Sequence, residues 1–365
     1  MVKKKVKHAK HKIVHRAKHK SKTHKTAHKK HKIVLPERVI KNTRRIKEAG
    51  KILERVRTET HKSVVGQDAT ISAILRSILA NGHSIVEGVP GIAKTLIVKT
   101  LAQTTGCTFS RVQFTADLLP TDITGLTTYN QETNQFSVVK GPVFANFIIA
   151  DEINRSPPKV QSALLEAMQE EQVTIGRTTY KLPLPFFVMA TQNPVEQAGV
   201  YSLPEAQLDR FLFKIFIGYP TVDDEHEILQ KNMTLQKFNE FNVKQITNQK
   251  ILSDLQQLTK EIYLSPDVKK YIISIMDATR NPSKYDISMG KYIEFGASPR
   301  GSIGLFIASK AEALIKGSAY VTPHHVKLVT HDVLRHRILL NYEGQAENIS
   351  TDKIIDEILS KVAIP

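Results

Sequence analysis

Residues 88–95 read GVPGIAKT, a glycine-rich turn that ends on a lysine and a threonine. The turn matches the phosphate-loop pattern G-x-x-x-x-G-K-[ST] except at position 93, where this chain has alanine. Alanine suits that position if its backbone dihedral angles are ordinary, while Gly88 and Gly91 keep the turn tight. The simpler alternative is a proline-glycine turn that joins a strand to a helix, since such turns are common.

The segments on either side of the turn favour a strand before it and a helix after it. Ser84–Val86 is a short apolar run, and Lys94–Gln103 has apolar residues at helical spacing. A helix that begins at Lys94 directs unpaired N–H groups and the positive end of its dipole at an anion. Lys94 would then pair with the outer phosphates of a nucleotide, and the Thr95 hydroxyl would bind Mg²⁺.

Composition narrows the class of protein. At 365 residues and 41% hydrophobic content the chain can bury one large core or two medium ones. No apolar run is long enough to cross a bilayer, so we expect no transmembrane segment. The single cysteine, Cys107, excludes disulfides within the chain and zinc sites built from cysteines. The N-terminal charges are not followed by the apolar stretch of a secretory signal, and we expect a cytoplasmic protein.

The net charge of +17 is concentrated at one end of the chain. Residues 1–32 contain 14 Lys and Arg and no acidic residue, which leaves 38 basic and 35 acidic residues in the remainder. Such a segment repels itself, so we predict that residues 1–34 are a disordered basic tail. Non-specific binding of polyanions, such as nucleic acid or anionic lipid, is its expected property.

Four further apolar segments have the composition of buried strands, and helical segments separate them. They are FSRVQF (109–114), NFIIA (146–150), FFVMA (186–190) and FLFKIFI (211–217). Strands buried on both faces that alternate with helices indicate a doubly wound, mainly parallel sheet.

Polar residues follow two of these strands, where ligands bind in such sheets. Asp151 and Glu152 follow the second of the four, which suits one carboxylate holding Mg²⁺ and the next polarising an attacking water. Asn193 follows the third and could reach the γ-phosphate or that water. Taken singly, an Asp-Glu or Asn-Pro pair is usually a solvent-exposed turn. Together with the phosphate loop, they make three such strand ends in one predicted sheet.

The chain resembles the MoxR family of AAA+ ATPases over about residues 60–345. The stretches that carry the resemblance are VVGQD (64–68), GVPGIAKT (88–95), DEINRSPPKVQSALLEAMQE (151–170), ATQNP (190–194), LPEAQLDRF (203–211), GASPRGSIGL (296–305) and VTPHHVKLVTHDVLRHRI (321–338). Members of the family are similar in having alanine before the loop lysine. The resemblance implies an α/β AAA+ core, a P-loop NTPase fold with a mainly parallel five-stranded sheet, in residues 35–220. A smaller all-α lid domain would follow in residues 221–365.

The resemblance also implies a role for individual residues. ATP would contact Val65, Gly66, Gln67, Gly88, Val89, Pro90, Gly91, Ile92, Ala93, Lys94, Thr95 and Leu96. Mg²⁺ would bind Thr95 and Asp151, and the catalytic residues would be Glu152, Asn193 at the sensor 1 position, Arg210 and Arg300. Arg210 matches an arginine finger that reaches the nucleotide of the neighbouring subunit, with Arg155 as a rival, and Arg300 matches the sensor 2 arginine of the lid.

Two hairpins complete the resemblance. Residues 127–139 alternate β-forming residues around a polar turn, at a point that would lie inside the second helix of the core, and residues 173–182 turn at Gly176-Arg177. In related ATPases such hairpins face the centre of a ring; the simpler alternative is an ordinary surface hairpin.

The function implied is that of an ATPase in a homo-oligomeric, hexameric ring that remodels or matures client proteins, with a von Willebrand factor A domain protein as partner. Two alternatives stay open. One is a nucleic-acid-binding motor, suggested by the basic tail, although the remainder of the chain is nearly neutral. The other is a motor subunit like that of magnesium chelatase.

Overall fold

The fold is known from a computed structural model that describes residues 37–89, 91–132, 134–193, 201–231 and 237–365. The basic segment 1–34 and Pro90, both subjects of predictions, lie outside these residues. By its contacts the chain from Pro36 to Pro365 forms one unit. A division between core and lid at residue 220 therefore stays a prediction.

Five parallel strands form the central sheet. In chain order the strands of the protein are β1 (Ser84–Gly88), β2 (Phe109–Gln113), β3 (Gly125–Asn130), β4 (Gln135–Lys140), β5 (Phe147–Asp151), β6 (Gln172–Ile175), β7 (Thr178–Lys181), β8 (Phe187–Gln192), β9 (Phe213–Ile217), β10 (Ile293–Phe295) and β11 (Leu339–Leu340). The central sheet has the order β2-β5-β8-β1-β9, and each of its neighbouring pairs is parallel. The predicted five-stranded parallel sheet is confirmed.

Helices lie between the strands of this sheet in sequence and continue after its last strand. They are α1 (Glu37–Thr60), α2 (Asp68–Leu79), α3 (Lys94–Thr105), α4 (Pro120–Thr124), α5 (Pro158–Glu170), α6 (Glu205–Leu208), α7 (Val222–Gln230), α8 (Gln249–Glu261), α9 (Pro266–Arg280), α10 (Pro299–Ile315), α11 (Pro323–Leu334), α12 (Tyr342–Ala346) and α13 (Thr351–Lys361). Short 3₁₀ turns lie at Ile153–Arg155, Phe238–Phe241, Pro282–Tyr285 and Ser288–Tyr292. None of the helices that the structure describes has the length and apolar character needed to cross a membrane.

The middle strands of the sheet lie in the core. Every residue of β8 before Gln192 is buried, and β5 is buried up to Ala150. Phe147 of β5 packs edge-on against Phe187 of β8, with ring centroids 5.7 Å apart. Helices α2 and α3 pack against the sheet. Because consecutive residues of β5 and β8 are buried, both faces of these strands are covered, which explains their continuous apolar sequences.

Side chains cap the helices of the C-terminal half. Each α-helix from α7 to α13 begins at a Ser, Thr or Asn whose side-chain oxygen accepts a backbone N–H of the first turn. In three of them, α9, α10 and α11, the capping residue precedes a proline, which is pre-organised for the first helical position. These caps fix the helical lid locally.

The lid also contains a short antiparallel pair, β10 and β11. The pair joins the segment before α10 to the segment after α11, and α10 and α11 pack against each other. The lid is helical, as expected, with this one addition.

The two predicted hairpins are present as the pairs β3–β4 and β6–β7, both antiparallel. The first was predicted to lie inside a helix, and this prediction is wrong. The hairpin follows the five-residue α4, and no helix separates it from β5. Gly125 is the reason. It has φ +102°, which ends α4, and a Cβ there would lie 2.3 Å from the carbonyl oxygen of Val139 across the hairpin.

The last strand of the sheet begins later than predicted. Its apolar sequence starts at Phe211, whereas β9 starts at Phe213. The carbonyl oxygens of Phe211 and Leu212 accept hydrogen bonds from the Arg337 guanidinium. They are therefore not available to a neighbouring strand, and these two residues form a turn at the base of the lid.

Candidate functional site

The glycine-rich loop and the acidic pair face a common pocket at the carboxyl edge of the sheet. The pocket has a volume of about 400 Å³. It is lined by Gly91, Ile92, Ala93, Lys94, Thr95, Leu96, Arg111, Gln113, Asp151, Glu152, Thr191, Gln192 and Asn193. Strand register produces this meeting, because Gln113 of β2 is paired with Asp151 of β5, and Glu87 of β1 with Gln192 of β8.

The alanine of the loop adopts a left-handed backbone conformation. Ala93 has φ 60° and ψ 19°, so the condition under which alanine was expected to suit this position is not met. The chain must leave the turn and enter α3 within one residue, and this conformation makes that possible. An alanine in it is strained by about 1–2 kcal/mol. Gly91 also has a positive φ, 83°, and a Cβ there would meet no heavy atom within 4 Å.

The first turn of α3 has no side-chain cap and no acidic residue. Its unpaired N–H groups therefore point into the pocket together with the positive end of the helix dipole. The Lys94 ammonium donates a hydrogen bond to the Gly88 carbonyl oxygen, with Nζ and O 2.5 Å apart. Burial lowers the pKa of Lys94, and the carboxylates of Asp151, Glu152 and Glu87 oppose that shift.

Asp151 is held from both sides of its carboxylate. Its Oδ1 accepts a hydrogen bond from the Thr191 hydroxyl at 2.6 Å. Its Oδ2 accepts from the Arg111 guanidinium, with Nη2 2.7 Å away. The Thr191 oxygen also accepts the backbone N–H of Glu152, at 2.9 Å. Thr191 thereby fixes β8 to both members of the acidic pair.

Glu152 has a left-handed backbone and a side chain held by two donors. Its φ and ψ are 57° and 49°. Its Oε2 accepts hydrogen bonds from Gln113 Nε2 at 2.8 Å and from Arg155 Nη1 at 3.0 Å. The carboxylate is therefore directed toward β2 and the turn that carries Arg155.

Two residues that line this pocket, Ala93 and Glu152, have strained backbones. Among the described residues, nine that are not glycine have a positive φ, and five of them are Asn or Asp, which tolerate it. The other four are Gln67, Ala93, Glu152 and Glu171. The first three were all predicted to serve the nucleotide site, and strain of this kind is typical of functional sites.

Sequence reasoning missed Arg111 and Gln113, which hold the acidic pair. They alternate along β2, so their side chains leave the same face of the strand. The alternation in FSRVQF was the available signal. It did not reveal that β2 lies beside β5 and brings both side chains to the acidic pair.

The pocket fits a phosphate chain with Mg²⁺. It combines an uncapped helix N-terminus, a lysine, a hydroxyl at Thr95 and the Asp151 carboxylate, which are the donors and oxygen ligands that such a pair requires. Within the described ranges, no three His, Cys, Asp or Glu side chains are grouped as a metal site. A metal ion held here would therefore need oxygen ligands from the phosphates as well.

Val65, Gly66 and Gln67, which were also predicted to contact ATP, lie outside this pocket. Gln67 Nε2 is 3.4 Å from the carbonyl oxygen of Gly218, and Gly218 lines a second pocket of about 260 Å³ with Gly88 and Val89 of the loop. Val65 and Gly66 line a third cavity. The segment 65–67 is thus linked to the loop through Gly218.

The two predicted arginines also lie away from the phosphate pocket. Arg210 is exposed, and its guanidinium has no hydrogen-bond partner among the residues that the structure defines. Arg300 Nη1 lies 3.8 Å from Asp209 Oδ2, next to Arg210 in the chain. Arg155 contacts Glu152 of its own chain instead. The structure brings together the loop, the acidic pair and Asn193, but neither Arg210 nor Arg300.

Known proteins are similar to this chain in sequence and in architecture. Residues 83–213 match the ATPase family associated with various cellular activities (AAA), and residues 289–358 match the AAA lid domain. Chaperone MoxR1 of Mycobacterium tuberculosis is 47% identical over 86% of this chain and 82% of its own length. Protein MoxR of Paracoccus denitrificans is 29% identical over 83% of this chain and 93% of its own. The crystal structure of a putative ATPase from Cytophaga hutchinsonii, 47% identical, superposes with a TM-score of 0.83 and covers 89% of this chain and 99% of that one.

The strain at Ala93 predicts an unusual response to glycine. We expect Ala93→Gly to leave the nucleotide-free protein as stable or to stabilise it by up to about 1 kcal/mol, because the strain released exceeds the entropy cost of glycine. Ala93→Val should destabilise it, since a β-branched residue tolerates a positive φ poorly. Thermal unfolding without nucleotide measures both.

Ala69→Gly is the matched control for this experiment. Ala69 is exposed in the first turn of α2, where the backbone is helical, and glycine there should cost about 0.5–1 kcal/mol. If Ala93→Gly destabilises the protein as much as Ala69→Gly does, Ala93 is not strained.

Proposed function

The chain belongs to the MoxR family of AAA+ ATPases, and from this premise we propose that it binds and hydrolyses ATP with Mg²⁺ in an oligomeric ring and remodels client proteins. The observation that carries the proposal is the pocket in which an uncapped helix, a lysine and an acidic pair converge. A cytoplasmic location stays a prediction.

Each residue of the pocket has a separate task in this proposal. Lys94 exchanges the Gly88 carbonyl for phosphate oxygens, and the N-terminus of α3 binds the same charge. Thr95 and Asp151 hold Mg²⁺, which when bound neutralises charge on the phosphate oxygens. Asn193 orients the γ-phosphate or the attacking water.

Glu152 acts on that water once its carboxylate leaves Gln113 and Arg155. Both donors bind the same oxygen, Oε2, so rotation of one side chain breaks both hydrogen bonds.

The lysine and the glutamate should give different defects. Lys94→Ala should weaken ATP binding about 10- to 100-fold, since it removes a charged hydrogen bond worth about 1.5–3 kcal/mol. Glu152→Gln should bind ATP almost normally and lose turnover about 10²–10⁴-fold, as expected for removal of a general base. Equilibrium binding and single-turnover hydrolysis separate the two effects.

Glu166→Gln is the control, because Glu166 is exposed on α5 and does not line the pocket. Near-normal turnover by Glu152→Gln would remove Glu152 from the catalytic role.

The proposal places Arg210 in the active site of the next subunit. Its side chain is exposed and does not line the pocket of its own chain. Arg155, the rival, already forms an ion pair with Glu152 of its own subunit at 3.0 Å. This difference favours Arg210 for the role across the interface, and a ring, expected as a hexamer, supplies that interface.

A mixing experiment tests the shared site. Arg210→Ala and Glu152→Gln should each be nearly inactive, because loss of an arginine finger costs about 10³–10⁵ in turnover. Equal mixing should restore hydrolysis, since an intact Glu152 in one subunit then meets an intact Arg210 from its neighbour. Specific activity of the unsubstituted protein should also rise with concentration as rings assemble. Normal turnover by Arg210→Ala alone would contradict the shared site.

The hairpin β3–β4 offers an apolar surface for clients. Phe136 is 75% exposed, and it packs against Tyr129 with ring centroids 5.1 Å apart. Val138 is exposed on the same face of the hairpin, whereas Leu126 and Val139 are exposed on the opposite face. Exposed apolar side chains grouped as are Tyr129, Phe136 and Val138 mark interaction sites. We propose that this hairpin binds exposed apolar segments of client proteins at the centre of the ring.

Removing the aromatic side chains of Tyr129 and Phe136 should weaken the stimulation of ATP hydrolysis by client proteins. The variant Tyr129→Ser, Phe136→Ser should keep basal turnover and need at least about 100-fold more of an unfolded, carboxymethylated protein for half-maximal stimulation, because each of the two aromatic side chains contributes about 1.5–3 kcal/mol when a client buries it. Phe295→Ser is the matched control, since Phe295 is 60% exposed on the lid. Equal stimulation of the double variant and the control would exclude the hairpin.

The basic tail favours a second candidate, a nucleic-acid-binding motor. Residues 1–34 would bind polyanions by charge alone, with an affinity that falls steeply with salt. DNA-stimulated hydrolysis that persists in a chain beginning at Leu35 would favour the motor over client remodelling. A von Willebrand factor A domain partner and a magnesium chelatase-like role stay predictions from the family.

A further inference from the structure

The turn that carries Arg210 is bound by the lid. Arg337 follows α11 by three residues, and its side chain is only 3% exposed. The guanidinium contacts the segment Asp209–Leu212, which lies 125–128 residues earlier in the chain. The two neighbours of Arg210 in sequence are therefore both held by one lid side chain.

The donors of Arg337 are almost fully used on this segment. Nε donates to the Asp209 carboxylate at 2.8 Å, and Nη2 donates to the carbonyl oxygens of Asp209 at 3.1 Å and Phe211 at 2.7 Å. Nη1 donates to the carbonyl oxygen of Leu212 at 3.1 Å and to that of Val333. A planar fork with several fixed donors holds the orientation of a turn in a way that a lysine cannot.

Other lid residues reinforce the same contact. Ser298, the cap of α10, donates its hydroxyl to Asp209 Oδ2 at 2.9 Å. His336 Nε2 lies 3.1 Å from the carbonyl oxygen of Phe211. Burial lowers the pKa of His336 far below its ordinary value, so the ring is neutral and donates Nε2–H. Arg337 stays charged, because burial lowers its pKa only to about 10.

The side chain of Arg210 takes no part in these contacts. Its backbone lies between the two clamped residues, yet its side chain is exposed. A shift of the lid therefore moves the base of the Arg210 side chain with it. A displacement of about 1 Å in a catalytic group can cost about 10²-fold in rate. A small shift of the segment Asp209–Leu212 is therefore enough to change the rate that an arginine finger supports.

We propose that Arg337 is a positioning residue, which sets the place of Arg210 and thereby lets the lid of one subunit control hydrolysis in the neighbouring subunit. The inference rests on the proposed role of Arg210 across the interface. Arg337 touches no nucleotide in this proposal and acts only through the Asp209–Leu212 segment.

The test adds Arg337→Lys to one or the other of the two subunit types in the mixed ring and compares the restored turnover. In the mixture of Arg210→Ala with Glu152→Gln, the first subunit hosts the reacting nucleotide and the second donates the finger. Arg337→Lys added to the Glu152→Gln subunit should reduce the restored turnover at least about tenfold, because the finger is misplaced. The same substitution in the Arg210→Ala subunit should leave the restored turnover within about twofold, since that subunit donates no finger.

Arg335→Lys is the matched control. Arg335 is likewise buried, with 8% of its side chain exposed, and it bonds Asp332, Asp352 and the Lys214 carbonyl but no residue of the clamped segment. It should not distinguish the two placements. His336→Ala, which removes only the hydrogen bond to the Phe211 carbonyl oxygen, provides a second variant should Arg337→Lys fail to fold, and it should show the same asymmetry in smaller measure.

The outcomes are distinct. Loss of rescue only in the finger donor supports the inference. Equal loss in both placements, or no loss in either, overturns it while the shared site stands. Absence of rescue in the reference mixture overturns the role of Arg210 across the interface, and the inference with it.

Discussion

The uncapped N-terminus of α3 is the constraint on which the site depends. Helices α2, α5 and α6 also have no side-chain cap, but among the helices that the structure describes only α3, which begins behind a strained alanine, directs its unpaired first N–H groups into the pocket of the acidic pair. An anion stabilises such an end. The protein thus leaves part of its stability to the ligand, at the point where a parallel sheet directs the carboxyl ends of its strands.

The fold could be predicted from the sequence because its signals are local. Apolar runs such as NFIIA and FFVMA identify buried strands, and the positions of β5 and β8 differ from the prediction by one or two residues. The site was only partly predictable. Gln113 and Arg111 hold the acidic pair because β2 pairs with β5. The order of strands in a sheet cannot be predicted from the sequence of any single segment.

Two details show how distant contacts override local pattern. The left-handed conformation of Ala93 follows from the geometry of the turn into α3, and alanine by itself favours an ordinary helix. The delayed start of β9 follows from Arg337, 126 residues away from Phe211. In both cases the departure from local preference occurs at or next to a residue predicted to serve ATP binding or hydrolysis, where strain and long-range contacts are expected.

Asp209 separates the tasks of two arginines. Its Oδ1 is fixed by Arg337 at 2.8 Å, in a buried contact, while its Oδ2 faces Arg300 at 3.8 Å. Arg300 is half exposed, and exposed ion pairs contribute little free energy. Arg300 is therefore held only weakly by Asp209, whereas removal of Arg337 would take from the partly buried Asp209 carboxylate its closest charged partner. One carboxylate thus keeps the Arg210 turn in place and holds a second arginine ready beside it.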